Sequence, residues 1–209
     1  MINISMVMLV KNEVHCIVDA INSARQYVNE ILIVNDHSTD DTGSIAALYG
    51  ADRVVIPPFR VSEVGFSVAW NWMIDNAAHD WVLIMDADER LGSDGSLLQT
   101  LTRFPGKEVW NLPRRKWQSY PKQRTEYEAY PDWQTRFMKR RPEDRFTGEL
   151  HVTYNCPKIY NAYRGPHIEH LQDELRTPEK KLQRSDTYNR LASIQGVEVY
   201  GGDIIRKNT

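Results

Sequence analysis

The stretch WVLIMDADE, Trp81 to Glu89, runs from five unbroken hydrophobic residues into three carboxylates with one alanine between the first two. A short apolar run of this kind suits a strand buried on both faces, and the abrupt charge marks where the chain leaves the core. Everything upstream repeats one rhythm of strand-like and helix-like patterns. Ile2 to Val10 reads as a first strand. Residues 13–28 place Val14, Ile17, Val18, Ile21, Ala24 and Val28 at helical spacing. EILIVND (30–36) is a second buried strand. Residues 37–50 form a helix with a Ser38-x-x-Asp41 start resembling a capping box and Gly50 as its stop. RVVIPP (53–58) is a third strand closed by prolines. Residues 64–78 carry Phe66, Ala69, Trp70, Met73 and Ala77 on one helical face and deliver the chain into Trp81. The order β-α-β-α-β-α-β predicts an α/β fold with a mostly parallel central sheet flanked by helices.

Beyond Gly92 the rhythm weakens. DGSLLQTLTRF (94–104) suits a short helix and EVWNLPRR (108–115) a strand. Residues 114–147 are dense in Arg, Lys, Trp, Tyr and Pro without a clear period. A final helix is expected from Pro178 to about Ile194, with a poor apolar stripe. The chain divides near residue 105 into two functional halves of a single domain: 1–104, and 105–209 with its C-terminal helix.

The whole chain has 209 residues, 41% of them hydrophobic and 26% charged, with a formal net charge of −2. That suits one compact domain and argues against bulk electrostatic attraction to nucleic acid or an anionic membrane. Cys16 and Cys156 match neither a disulfide framework nor a zinc knuckle, so a reducing cytoplasm is the expected location. The opening MINISMVMLVKNE is apolar for only about ten residues and has no basic lead, so it reads as a strand; no membrane span is expected.

In an open parallel α/β sheet, ligands bind at the carboxyl ends of the strands. Three such ends are polar here: Lys11-Asn12-Glu13, Asn35-Asp36-His37-Ser38 and Asp86-Ala87-Asp88-Glu89. In an extended stretch Asp86 and Asp88 point the same way, and clustered carboxylates call for a cation. Oxygen ligands suit Mg²⁺ or Mn²⁺, which commonly keep substrate phosphates in their remaining positions. A bare Asp-x-Asp also fits a solvated turn or a helix cap.

Four segments together resemble the nucleotide-sugar glycosyltransferases of the GT-A fold, specifically the inverting family 2. They are SMVMLVKNE, ILIVNDHSTDDT, AWNWMIDNAAHDWVLIMDADE, and DWQTRFMKRR followed by FTGELH. The resemblance implies transfer of a sugar from a nucleoside-diphosphate donor, most simply a UDP-sugar, to a carbohydrate or other hydroxyl acceptor, in glycan or lipopolysaccharide assembly. Carried over by position, Asp36 binds the uracil or ribose, and the loop Val10, Asn12, Glu13 closes over the nucleoside. Asp86, Ala87 and Asp88 meet the diphosphate; Asp88 holds Mn²⁺ or Mg²⁺ more directly, with Asp86 also near the ribose. Asn71 matches the family's Arg-Asn pair. Trp70 departs from it, standing where many members have an arginine near the phosphates. Arg60 or an arginine from residues 114–141 is the expected substitute.

Inversion needs a general base, normally Asp or Glu. Asp132 of PDWQTR is the first candidate and Glu149 of FTGEL the second. Where many relatives read His-Glu, this chain has His151-Val152. His151 is a candidate third metal ligand, with His167 and His170 as competitors; each also fits a structural hydrogen-bonding role. Residues 112–146 hold ten Lys or Arg against five Asp or Glu, interleaved with aromatics. That mixture suits a sugar or phosphate acceptor, a solvated charged face, or, less well, single-stranded nucleic acid. Three other classes share parts of the pattern. A nucleotidyltransferase would open with a Gly-rich phosphate loop, which MLVKNEVHC lacks. A haloacid-dehalogenase-type phosphatase would carry its Asp pair on the first strand. A non-catalytic sugar-binding module has no need of Asp88.

Overall fold

A computed structural model describes residues 1–120, 123–148, 152–171, 178–195, 198–200 and 203–205. The four expected strands are β1 (Ile4–Val10), β2 (Glu30–Asn35), β3 (Arg53–Val55) and β4 (Trp81–Ile84). They pair in parallel in the order β3-β2-β1-β4, with Val7 opposite both Leu32 and Ile84. Their crossovers carry α1 (Ile17–Arg25), α2 (Thr42–Leu48), α3 (Val61–Val64) and α4 (Phe66–Asp75).

Alternation along these strands feeds two cores. Ile4, Met6, Met8, Ile31, Ile33 and Leu83 pack with Ile17, Ile21 and Ala24 of α1. Val7, Leu32, Val34, Val82 and Ile84 pack with Met73, Ile74 and Ala77, on or just past α4. Strands apolar on both faces therefore sit between two helical layers. Burying each such side chain stabilises the fold by about 1.5–3 kcal/mol, which is what holds the strand ends in place.

After β4 the chain turns into β5 (Glu89–Leu91), then a 3-10 turn at Gly95–Leu97 and α5 (Leu98–Leu101). Two long strands follow, β6 (Val109–Tyr120) and β7 (Gln123–Lys139). Then come β8 (Arg145–Thr147), β9 (Thr153–Asn155), β10 (Tyr160–Asn161), β11 (Ile168–His170), α6 (Pro178–Gln195), β12 (Glu198–Tyr200) and β13 (Asp203–Ile205). β7 pairs antiparallel with β4, and the sheet continues β7-β6-β11-β5, with β10 beside β6. Among the described residues nine strands make one sheet that crosses the residue-105 divide.

Four expectations needed correction. The helix over 64–78 is broken at Gly65, whose φ of 84° and ψ of 165° lie in a region that essentially only glycine enters. The Ser38-x-x-Asp41 capping box does not form, because Ser38 Oγ accepts the Asn12 N–H (2.9 Å) and the side chain of Asp40 bonds the first helical N–H, at Thr42 (3.0 Å). The strand through WVLIMDADE stops at Ile84, and Glu89 N–H returns to the Asp86 carbonyl at 3.0 Å, so Asp86 to Glu89 is a turn. The aperiodic stretch 114–147 is largely strand: β6 and β7 pair across it with register shifts at Trp110/Asn111 and Arg114/Lys116. α6 packs against α3 and the start of α4, with Tyr188 against Phe66 of α4 at 5.9 Å and Leu191 and Ala192 buried. No helix among the described residues is long and apolar enough to cross a membrane.

Candidate active site

The carboxyl ends of β1, β2 and β4 meet at one rim of the sheet, as parallel pairing requires. The first two loops are stitched together. Asn12, at a left-handed φ of 55°, accepts from Thr39 N–H through its side chain (2.8 Å), and Glu13 N–H donates to Thr42 Oγ1 (2.7 Å). Glu13 also takes the thiol hydrogen of Cys16 at 3.2 Å. Burial, then the charge of Asp88, pushes the Cys16 thiol up to about 12, so it stays protonated. Arg90 Nη2 donates to the Cys16 carbonyl (3.2 Å) and its Nη1 to the Ala87 carbonyl (2.9 Å), joining this loop to the Asp86–Glu89 turn. Val10 and Ala87 are buried side chains, present at the rim through their backbone.

Asp36 is 3% exposed, and both carboxylate oxygens are engaged: Lys11 Nζ at 3.2 Å from Oδ2, and the Val61 N–H at 3.2 Å from Oδ1. It therefore also serves the start of α3. Asn71 is occupied as well. Its amide donates to the Phe146 carbonyl (2.9 Å) and accepts the Phe146 N–H (2.8 Å), so both ends tie α4 to β8.

The turn places Asp86, Asp88 and Glu89 differently. In a turn, Asp86 and Asp88 no longer share one direction as alternate residues of a strand would. Asp86 has a 38% exposed side chain and pairs with Arg136 Nη2 at 2.7 Å. Asp88 lies 3.5 Å from His170 Nε2, and the Leu171 N–H donates to its carbonyl (2.9 Å). The register of β11 against β5 sets His170 opposite Glu89, which brings the imidazole there. Glu89, the third carboxylate of this strand end, is fully buried. It accepts from Asp86 N–H (3.0 Å), Arg136 Nη2 (2.9 Å) and Arg114 Nη1 (3.2 Å).

Arg114 continues to Asp132, with Nη2 at 2.7 Å and Nε at 2.9 Å from Oδ2; Lys116 and Gln134 also reach that carboxylate. Burial opposes ionisation of Asp132, but the Arg114 charge and hydrogen bonds outweigh it and hold the carboxyl below its ordinary range. Burial also opposes the charge of Arg136, while Asp86 and Glu89 more than restore it, so its pKa is raised. Trp70 lies under that guanidinium at 5.4 Å from the ring centroid, whereas Arg60 is exposed.

Of the histidines, His167 is held between Asp94 (2.9 Å) and Glu169 (3.0 Å), and His170 is the one beside Asp88. Glu149 and His151 lie outside the described residues. Arg136 and Arg114 fall in the stretch 114–141 from which a substitute arginine is expected, but the sequence singles out neither, and Glu89 is not expected to join them. Asp88 and His170 face each other at 3.5 Å, while the Asp86 carboxylate is turned to Arg136; among the described residues the three ligand-bearing side chains that cluster within 4.8 Å are Glu13, His15 and Cys16.

Comparisons with known proteins bear on the whole arrangement. An uncharacterised glycosyltransferase of Rickettsia felis is 36% identical over 91 residues, 44% of this chain and 30% of the relative. One from Rickettsia conorii is 37% identical over the same share of each. The chain thus spans under a third of the length of these relatives. Glucosyl-3-phosphoglycerate synthase from Mycobacterium tuberculosis, solved with Mn²⁺, UDP-glucose and phosphoglyceric acid, is 25% identical over 54% of this chain and 44% of its own, with a TM-score of 0.44. The profile of glycosyl transferase family 2 matches residues 5–164, most of the chain and the strand ends with Asp36, Asp86, Asp88 and Glu89, and the chain belongs to that family.

Proposed function

We propose that the chain is a metal-dependent inverting glycosyltransferase that moves a sugar from a nucleoside-diphosphate donor, most simply a UDP-sugar, to a hydroxyl acceptor in glycan assembly. The observation that carries this reading is the Asp86-Ala87-Asp88 turn, set at the end of the buried central strand where the Asp36 and Asn12–Glu13 loops also end. Asp36 and the loop from Val10 to Glu13 receive the nucleoside. Asp88, with His170 and Asp86, holds the cation, whose charge stabilises the departing diphosphate.

Asp132 takes the acceptor's proton. Arg114 keeps it ionised and oriented, and the same pairing weakens it as a base, which suits proton transfer late in the reaction. The acceptor side falls to residues 105–209. There Arg115 stacks on Tyr130 (4.6 Å) and Trp117 (5.7 Å), and Trp133 meets the exposed Tyr163 at 5.0 Å. Aromatic faces beside guanidinium groups fit a sugar, with or without phosphate.

Calorimetric titration with UDP tests the reading. Binding should require Mn²⁺ or Mg²⁺ and weaken by about tenfold or more in Asp88→Ala, the scale on which loss of a charged metal ligand acts. Equal UDP binding without metal and in the variant would sink it.

A further inference from the structure

Three carboxylates lie within four residues of the turn, and their counter-charges come from two strands on the far side of β4. The ion pairs form an unbroken chain: Asp86 to Arg136 (2.7 Å), Arg136 to Glu89 (2.9 Å), Glu89 to Arg114 (3.2 Å), Arg114 to Asp132 (2.7 Å). The exposures of Glu89, Arg136 and Arg114 are 0%, 3% and 12%. Arg114 divides its charge between Glu89 and Asp132, whereas Arg136 pairs with two carboxylates of the turn itself, Asp86 and Glu89.

Arg136 is not fully used by these bonds. Its Nε and Nη1 are buried and have no hydrogen-bond partner among the described residues. A buried charge with unsatisfied N–H groups is expensive, and replacing such networks by apolar residues commonly leaves stability unchanged or improved. Packing alone therefore gives a poor account of an arginine here. Charge balance gives a better one. The turn carries three carboxylates; Arg136 offsets one unit of that charge and Arg114 shares in offsetting Glu89, which brings the remainder within what one divalent cation neutralises. Without Arg136 the same cation leaves a residual negative charge facing an anionic diphosphate. Trp70 supplies the flat face on which the guanidinium rests, 5.4 Å from its centroid.

We propose that Arg136 is a positioning residue that sets the charge of the donor site: it holds Asp86 against Glu89 and reduces the negative charge of the turn, so that cation and diphosphate can bind together. This rests on the transferase reading. The same logic makes the charge portable, since a guanidinium placed on α4 at position 70 would stand over the same spot.

The test is calorimetry of UDP in the presence of Mn²⁺ on the parent, Arg136→Met, Arg136→Lys, Arg136→Gln and the double variant Arg136→Met/Trp70→Arg, with near-UV circular dichroism to establish folding. Arg136→Met should weaken UDP by about ten- to a hundredfold, the scale of losing one unit charge several ångströms away at intermediate dielectric. Arg136→Lys should stay closer to the parent than Arg136→Gln, and the double variant should bind tighter than Arg136→Met. A purely structural arginine on β7 cannot be rescued from a helix. UDP binding unchanged in a folded Arg136→Met would overturn the proposal, as would a folded double variant no tighter than the single. If Arg136→Met does not fold, the Lys and Gln variants decide: equal affinity in both refutes the charge role. A parent that binds no UDP with Mn²⁺ refutes the transferase reading and this proposal with it, whereas a binding parent with indifferent Arg136 variants refutes this proposal alone.

Discussion

Glu89→Gln probes the buried charge chain most directly. Glutamine keeps the volume and one acceptor oxygen for the Asp86 N–H, but removes the charge shared by Arg114 and Arg136 and turns an NH₂ toward both of them, since both donate to the same carboxylate oxygen. Removing one partner of a buried pair costs about 3–5 kcal/mol. Each arginine here retains a second carboxylate, Asp132 or Asp86, so the lower end applies, about 3 kcal/mol. For a domain of this size about 1 kcal/mol corresponds to roughly 2–4 °C, which places the melting temperature roughly 6–12 °C below the parent. Thermal melting by far-UV circular dichroism reads this, and urea unfolding with an unchanged slope shows that the native state alone has changed. Pairing Glu89→Gln with Arg136→Met should cost less than the sum of the two, with a coupling of about 1–3 kcal/mol. A Glu89→Gln melt within about 2 °C of the parent would show that Glu89 is not the buried counter-ion described.

The other expected outcomes concern different parts of the molecule. Hydrogen bonding to Glu169, then to Asp94 against the opposing effect of burial, raises His167 to about 9. A raised folded pKa stabilises below the unfolded value of about 6.5, and the contribution is lost as pH rises through about 9. The stability advantage of the parent over His167→Gln, followed by urea titration from pH 6 to 10, should therefore be full at the acid end and shrink above neutrality; a pH-independent difference contradicts it. Gly65→Ala forces a side chain into a φ of 84°, ψ of 165° and should destabilise by about 1–3 kcal/mol by the same melting assay. No measurable change would mean that the break between α3 and α4 does not need that conformation.

The first half of the fold was legible because its information is local. Alternation within β1, β2 and β4 and the helical spacing of Ile17, Ile21 and Ala24 are properties of neighbouring residues, and burial on both faces leaves them one consistent arrangement. The first half of β6 was read as a strand, but its continuation past Arg115 and the whole of β7 were not legible, for equally physical reasons. Pro131 argues against a strand, and the register shift at Arg114/Lys116 breaks the alternation that would mark a face.

The site divides in the same way. Asp36, Asp86 and Asp88 could be singled out because each follows an apolar run, and strand ends are where an α/β sheet exposes polar groups. What each carboxylate touches was decided only in three dimensions. Asp36 meets Lys11 and the start of α3, Asn71 meets the backbone of Phe146, and Asp88 meets His170 because β11 pairs with β5. Glu89 is the sharpest case. Beside two aspartates in the sequence it looks like one more exposed acid, yet it lies at the centre of the charge chain, because the two arginines that make its burial affordable stand 25 and 47 residues away. Periodicity carries the elements and strand-end position carries the candidates, but ion-pair partners so distant in sequence are set only by strand register.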